Sequence, residues 1–423
     1  MLHPTPTSDP NDPLNWAKWR KSLNFVLVLI YVFMTFVQLD IGFTAWAQYQ
    51  TELGFTLSLL NSGAATNYAS LAVGCIFLVP FVHKYGRRSL YIFSTLIQLV
   101  ACIWSARTTT QGDLIGSSLL SGLGGALSET IVQISIADIF FVHNHAAMNG
   151  WYLFATLAGS YLGPISAGYI VDGQGWRWMW WWCAILFSIN LGLIIIAFEE
   201  SKYVTPGQGQ QIGYQQNRGM GTTTMDTTET DPGMKPVHSH NEQRAESTRD
   251  LRTRSHVLID HGVQKRTYRQ RMAPITKTDD SLLHHLYQPA VILFRLPAVA
   301  YAAVTYGSLL AWSSILISIQ ATYLFRPPYS FSASGVGLMS LAPLVGSIPG
   351  IYIGGYLNDH SVLWLSRRNG GVFEPEMRLW MALPSAVICP AGILVFGLGL
   401  NNVRNPMTLT VSAIVLHYSG ERS

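Results

Sequence analysis

The chain has 423 residues, 49% of them hydrophobic and only 12% charged, where a soluble domain carries roughly 25% charged residues. That deficit excludes a water-soluble globular protein as the simplest reading. The net charge of +4 is small for this length, so no nucleic-acid partner is expected, and the placement of basic residues says more than their sum.

Residues 1–21 lack an apolar core and read as a segment before the first span, not as a cleavable signal. Windows of about 20 apolar residues, the length a helix needs to cross hydrocarbon, follow near 22–47, 61–82, 89–106, 114–137, 147–171 and 177–198. Residues 199–297, rich in Thr, Gln, Gly, His and charges, read as a disordered linker. Three further spans are expected near 298–323, 334–357 and 379–400, followed by a divergent tail over 401–423. Pro164, Pro343 and Pro349 interrupt spans without excluding them, because neighbouring helices can satisfy the freed backbone groups. The expected fold is therefore all-α and polytopic, with a complete six-helix first bundle and a partial second bundle of about three helices.

With the N-terminus in the cytosol, 22 of the 27 Lys and Arg fall on cytosolic segments, 13 of them in the central linker. The positive-inside tendency favours this orientation, with a lipid bilayer as partner and the plasma membrane as the expected location. Cys75, Cys102, Cys183 and Cys389 all fall within predicted spans, which argues against an extracellular disulfide framework.

The loops after spans two and eight, VHKYGRRSL and GGYLNDHSVLWLSRRNGG, repeat weakly. Each places paired arginines after a short turn, Arg87 with Arg88 and Arg367 with Arg368, and the second adds Gly355 and Asp359. Two halves related about an axis along the membrane normal would produce such a repeat. Positive-inside anchoring explains the arginines equally well.

Acidic residues inside spans are costly and tend to serve function. Glu129 sits mid-span, with Gln133 one turn on and Gly122, Gly125 and Ala126 continuing the face by i, i+3 and i+4 steps. Asp40 lies near the end of span one, where solvation of the helix end competes with a cavity role. Asp138 falls at the cytosolic end of span four and is a candidate gate partner for Arg87 and Arg88, as Asp359, Arg367 and Arg368 are in the second block. Tyr301, Tyr306, Trp312 and Gln320 in span seven could line a cavity for an organic cation through their ring faces, or face lipid. Trp176, Trp178, Trp180, Trp181 and Trp182 with Arg177 match an interfacial anchor. The loop histidines His238, His240, His256 and His261 lack zinc spacing, so no metal is expected. No cofactor is implied, and neither a nucleotide-binding loop nor a nucleophile motif points to an enzyme.

AGSYLGPISAGYI in span five carries Gly159, Gly163, Pro164 and Gly168, residues that permit close helix approach and a bend. At this position the run resembles the antiporter motif of the major facilitator superfamily, with Ala167 where the family's first paired glycine usually stands. NDPLNW at 11–16 resembles the pre-membrane signature of fungal drug-proton antiporter relatives, KYGRR at 84–88 the tail of the family's loop motif, and GLGGA at 122–126 the end of its span-four motif. SIADIFFVH, GWRWMWWWCAI, PPYSFSASGVG and RRNGGVFEPEMRLW are similar to the branch containing histidinol and polyamine transporter relatives. The chain departs from these patterns at Val79, His83, Ser118 and His145, where the family carries glycine, aspartate, arginine and arginine.

The resemblance implies a gradient-driven carrier of a small organic solute, working by alternating access about a site between two halves. A membrane receptor that kept the fold without transport is the alternative that Ser118 and His145 would permit. The family's halves each have six spans, so a chain with three after the linker is expected to lack part of its second domain, with the resemblance ending near residue 400.

Overall fold

Asp12 opens the first turn of the chain. Its carboxylate accepts the Leu14 amide at 2.9 Å, and Pro13 presets the backbone, so Pro13–Asn15 wind into a 3₁₀ turn. Lys21 then ties that turn to the bundle, its Nζ donating to Leu14 O at 3.1 Å and to Ile139 O at 2.9 Å. The NDPLNW run therefore caps the basic end of the bundle.

The computed structural model describes residues 9–203, 267–272, 282–327, 329–352 and 358–370, with isolated positions between 391 and 398. Among the described residues the regular structure is helical throughout. The first block runs α1 (Lys18–Ile41), a 3₁₀ link over Gly42–Ala45, α2 (Trp46–Glu52), α3 (Leu57–Tyr85), α4 (Arg88–Ala106), α5 (Gln111–Ile139), α6 (Val142–Gln174) and α7 (Trp176–Ala197). Then come α8 (Tyr268–Arg271), α9 (Leu282–Arg295), α10 (Pro297–Tyr323), α11 (Ala333–Met339), α12 (Leu341–Tyr352) and α13 (Asn358–Arg368).

Local chemistry sets several of these ends. Thr56 caps α3 by accepting the Leu59 amide, and Thr110 with Asp113 forms a reciprocal capping box at the start of α5. The α3–α4 turn passes through Gly86 at φ +100°, a backbone region that disfavours other residues.

Among the described residues six helical stretches are long and apolar enough to cross a membrane: 18–52, 57–85, 88–106, 111–139, 176–197 and 297–323. They contain five of the first six predicted spans and the seventh. The predicted span over 147–171 lies within the 33-residue α6, which is long enough but less apolar. Of the span expected over 334–357, residues 353–357 lie outside the described residues, and the rest is α11 and α12, which meet at Ser340, itself in the right-handed helical region. Nearly all of the span expected over 379–400, Cys389, the tail and the four loop histidines lie outside the described residues.

Helix pairing in the first block follows small residues. A Cβ at Gly122 of α5 would stand 2.1 Å from Asn67 O of α3, and one at Gly159 of α6 would stand 2.5 Å from Phe33 O of α1. Backbones meet there without intervening side chains, as membrane helices require when lipid gives no hydrophobic drive. Around these crossings pack two apolar clusters, one holding Tyr49, Trp176 and Phe187, the other Tyr31, Tyr91 and Ile131. Ile76, Phe77, Phe154, Ile189 and Ile196 point outward instead, the pattern of a surface whose solvent is lipid.

Two expectations need correction. The tryptophan cluster is not a uniform interfacial anchor. Trp176 is 1% exposed, donates to Glu52 Oε2 at 2.8 Å and meets Tyr49 edge to face, while Trp180 donates to Tyr49 Oη at 2.9 Å. Only Trp178 and Trp182 present large exposed surfaces. The linker over 199–297 also contains order: Glu199, Ser201 and Lys202 are buried against the bundle with Glu200 half-buried, and α8 and α9 fall within it. Residues 199–202 and α8 are held by charge and backbone bonds that a composition-based reading does not register, and α9 lies against α3, His285 stacking on His83.

Candidate functional site

α1 ends in a buried acid. Asp40 is 5% exposed, with the hydroxyls of Ser160 of α6 and Tyr68 of α3 turned to its carboxylate and Ser314 of α10 beside Tyr68. Of the two roles open to this acid, solvation at a helix end and a place in a cavity, its cover by α3 and α6 suits the second. Asp40 and Gln320 line one crevice of about 440 Å³ between the blocks, with Phe43, Ser160, Pro164 and Pro343. Gln320 is 5% exposed, and its Nε2 has no hydrogen-bond partner.

Glu129 makes the second junction between the blocks. Its Oε2 accepts from Tyr152 of α6 at 3.3 Å and from Tyr306 of α10 at 3.4 Å. Gln133, expected to share this stripe, is exposed and makes no bond to Glu129. Gly122 and Gly125 turn to α3 and α1 instead, so one helical turn separates packing from polar contact. Tyr301 and Trp312 are largely exposed on α10, which suits lipid contact more than a cavity.

The glycines of α6 serve two partners. Gly159 and Gly163 admit α1, with Val37 Cα 3.1 Å from a Cβ at Gly163. Gly168 admits α11 of the second block: a Cβ there would stand 2.5 Å from Ala333 O. Gly337 answers from the other side, 2.5 Å from Pro164 O, and Asp172 accepts the Ser334 amide at 2.9 Å. At the end of the bundle remote from the arginines, the two blocks thus touch backbone to backbone.

At the basic end Arg87 Nε lies 2.8 Å from Asp138 Oδ2, joining the start of α4 to α5. Arg88 behaves differently: its guanidinium donates to Ile195 O at 2.7 Å and to Met272 O beyond α8. The residues that sequence reasoning missed are Glu199 and Glu200. The Glu200 carboxylate accepts the Arg87 and Arg88 amides at 2.9 and 3.1 Å, placing negative charge on the start of α4. Glu199 pairs with Arg20 and, at 3.5 Å, with Arg271 of α8. An acidic pair at the end of an apolar span was the available signal. In the second block Arg367 and Arg368 are exposed at the end of α13, Arg368 lying over the Trp364 ring, so they do not repeat the buried geometry of Arg87 and Arg88. Asp359 is the second residue of α13, and its side chain lies outside what the structure describes.

Among the described residues no group of three or more His, Cys, Asp or Glu is arranged to hold a metal ion. His145 accounts for one departure from the family pattern by bonding Phe140 O at 2.9 Å across the α5–α6 turn.

Two blocks of apolar helices meeting through paired glycines and buried carboxylates is an arrangement suited to moving a solute between them. The family profile described as Major Facilitator Superfamily matches residues 25–417. The chain belongs to that superfamily. The match extends past residue 400, where the motifs alone placed the end of the resemblance. Similar proteins include an uncharacterized MFS-type transporter of Schizosaccharomyces pombe, 29% identical over 94% of this chain and 71% of that protein. Protein HOL1 of Saccharomyces cerevisiae is 30% identical over 94% and 73%. Among solved structures, the proton:xylose symporter XylE bound to 6-bromo-6-deoxy-D-glucose matches with a TM-score of 0.56 at 12% identity, over 96% of this chain and 80% of that one. The chain is a multi-pass membrane protein of a transporter family.

Proposed function

We propose that the chain is a proton- or gradient-driven carrier of a small organic cation, working by alternating access about the crevice between its two blocks. The observation that carries this reading is the pair of acids that face the same helix, Asp40 across Tyr68, which lies beside Ser314, and Glu129 by its bond from Tyr306. Intramembrane carboxylates lining a junction between helical units suit a positively charged solute or a proton. Gln320, with its free Nε2 in the Asp40 crevice, adds a donor that would orient an acceptor on the same solute.

In this reading residues 22–198 form one bundle and the helices after the linker belong to the other. Arg20, Arg87, Arg88 and Lys202 mark the cytosolic end, with the plasma membrane as location. The Arg87–Asp138 pair is a latch whose state alternates with the α6–α11 contact at the outer end, giving the two arrangements the cycle needs. The fungal drug-proton antiporter branch is the favoured placement within the superfamily, supported by the capped NDPLNW turn and the α6 glycines.

A receptor that kept the fold without transport is favoured by one feature, Ser118, which stands where related carriers hold arginine. Uptake of 1-methyl-4-phenylpyridinium into proteoliposomes under an imposed pH gradient separates the two. Gradient-dependent accumulation supports the carrier, and absence of flux under every gradient, with probe binding retained, supports the receptor.

A further inference from the structure

Beneath the α1–α2 junction, wholly within the first block, lies a second hollow of about 620 Å³. Its floor is polar: Gln38, Asn67, Ser105, Thr108, Ser117 and Ser121 converge on it from α1, α3, α5 and the α4–α5 corner. Its roof is aromatic, made by Phe43, Trp46, Tyr49 and Trp180. No Asp, Glu, Lys, Arg or His lines it among the described residues, in contrast to the crevice at Asp40.

Two residues of this lining, Gln38 of α1 and Asn67 of α3, carry a side-chain oxygen that no donor meets. Gln38 is 2% exposed and spends its Nε2 on Gln98 O at 3.4 Å and Ser121 Oγ at 3.2 Å, which leaves Oε1 without a partner. Asn67 Oδ1 is likewise buried and unpartnered. A buried carbonyl oxygen without a donor costs about 1–3 kcal/mol, so each side chain gains by turning its carbonyl to an N–H or O–H group that enters the hollow. An ionised ligand would bring an unpaired charge into a low-dielectric site and is disfavoured on the same grounds.

We propose that this hollow is a binding site, separate from the transport crevice, for a small neutral molecule that presents N–H donors to Gln38 and Asn67 and an aromatic ring to Trp46, Tyr49 and Trp180. A primary aromatic carboxamide has that chemistry. The site belongs to one block, so it persists whichever way the blocks rock. Tyr68 lines it and also faces Asp40, so an occupant touches a side chain beside the crevice acid. Ser118, which departs from the family's arginine, lines the same space; an arginine there would fill it and supply charge.

The test uses the full chain in nanodiscs and fluorine NMR of 4-fluorobenzamide, with 4-fluorobenzoate as the charged congener of the same size. The amide signal should broaden on adding protein, and the benzoate signal should broaden at least tenfold less. Ser118→Phe should abolish the effect by filling the hollow. Asn67→Leu, which keeps the branched heavy-atom outline and removes one acceptor, should weaken amide binding about tenfold. Equal broadening by both probes, or amide binding unchanged in Ser118→Phe and Asn67→Leu when both variants elute as folded protein, would overturn the assignment. Because the readout is binding alone, this result stands apart from whether the crevice transports.

Discussion

Replacing Gly168 by alanine puts a methyl group where the two blocks meet. The added Cβ would lie 2.5 Å from Ala333 O and 2.9 Å from Ser334 Cα, the first 0.9 Å short of the 3.4 Å at which ordinary contact begins. Both opposing atoms are backbone, so no rotamer change relieves the overlap and α11 must retreat. Overpacking of this kind costs about 1–3 kcal/mol, while removing a mid-helix glycine returns up to about 1 kcal/mol of helix propensity. The net loss of about 1–2 kcal/mol shifts an open–closed equilibrium by roughly 5- to 30-fold. The assay is the rate at which an impermeant maleimide modifies Ser334→Cys in membranes, with the native cysteines replaced. Gly168→Ala should speed labelling by that factor and leave the first block's melting point unchanged. Gly192→Ala in α7, which would meet nothing within 4 Å, is the control and should not change labelling. Unchanged labelling in Gly168→Ala, or equal acceleration in the control, would refute the view that this glycine holds the blocks together.

Gly159→Ala meets Phe33 O at the same 2.5 Å but inside one block; it should lower the melting temperature of the chain without selectively exposing residue 334. Arg87→Ala strands Asp138 in a largely enclosed site and should cost up to about 3–5 kcal/mol, read as a loss of thermal stability that a second change, Asp138→Asn, partly restores. Glu199→Gln should release Arg271, so trypsin cuts after Arg271 faster than in the parent; an unchanged rate would mean α8 is held by other contacts.

The spans of the first block were legible because apolar length is a physical demand of the bilayer, not a statistical preference. Glu129 was legible for the same reason, since an acid at that depth needs partners, and Tyr306 was already singled out on its own helix. That the two meet was not readable, because a single sequence carries no information on how α5 faces α10. Asp40 stayed open between two roles because position along a helix says nothing of what covers its end, and Ser160 and Tyr68 are ordinary membrane-helix residues taken singly. Gln133 is exposed one turn beyond Glu129, and a single sequence does not show how far along α5 one face stays covered. α8 escaped notice because its anchors, Met272 O and the Arg271–Glu199 pair, are long-range contacts in a polar stretch.

The most direct test of the carrier reading is gradient-driven uptake of 1-methyl-4-phenylpyridinium by the wild-type chain, Asp40→Asn and Glu129→Gln, each reconstituted and matched for folded protein. The account predicts uptake by the wild type and at least a tenfold loss in both variants, with the wild type alone responding to collapse of the pH gradient. Wild-type flux in both variants would contradict it.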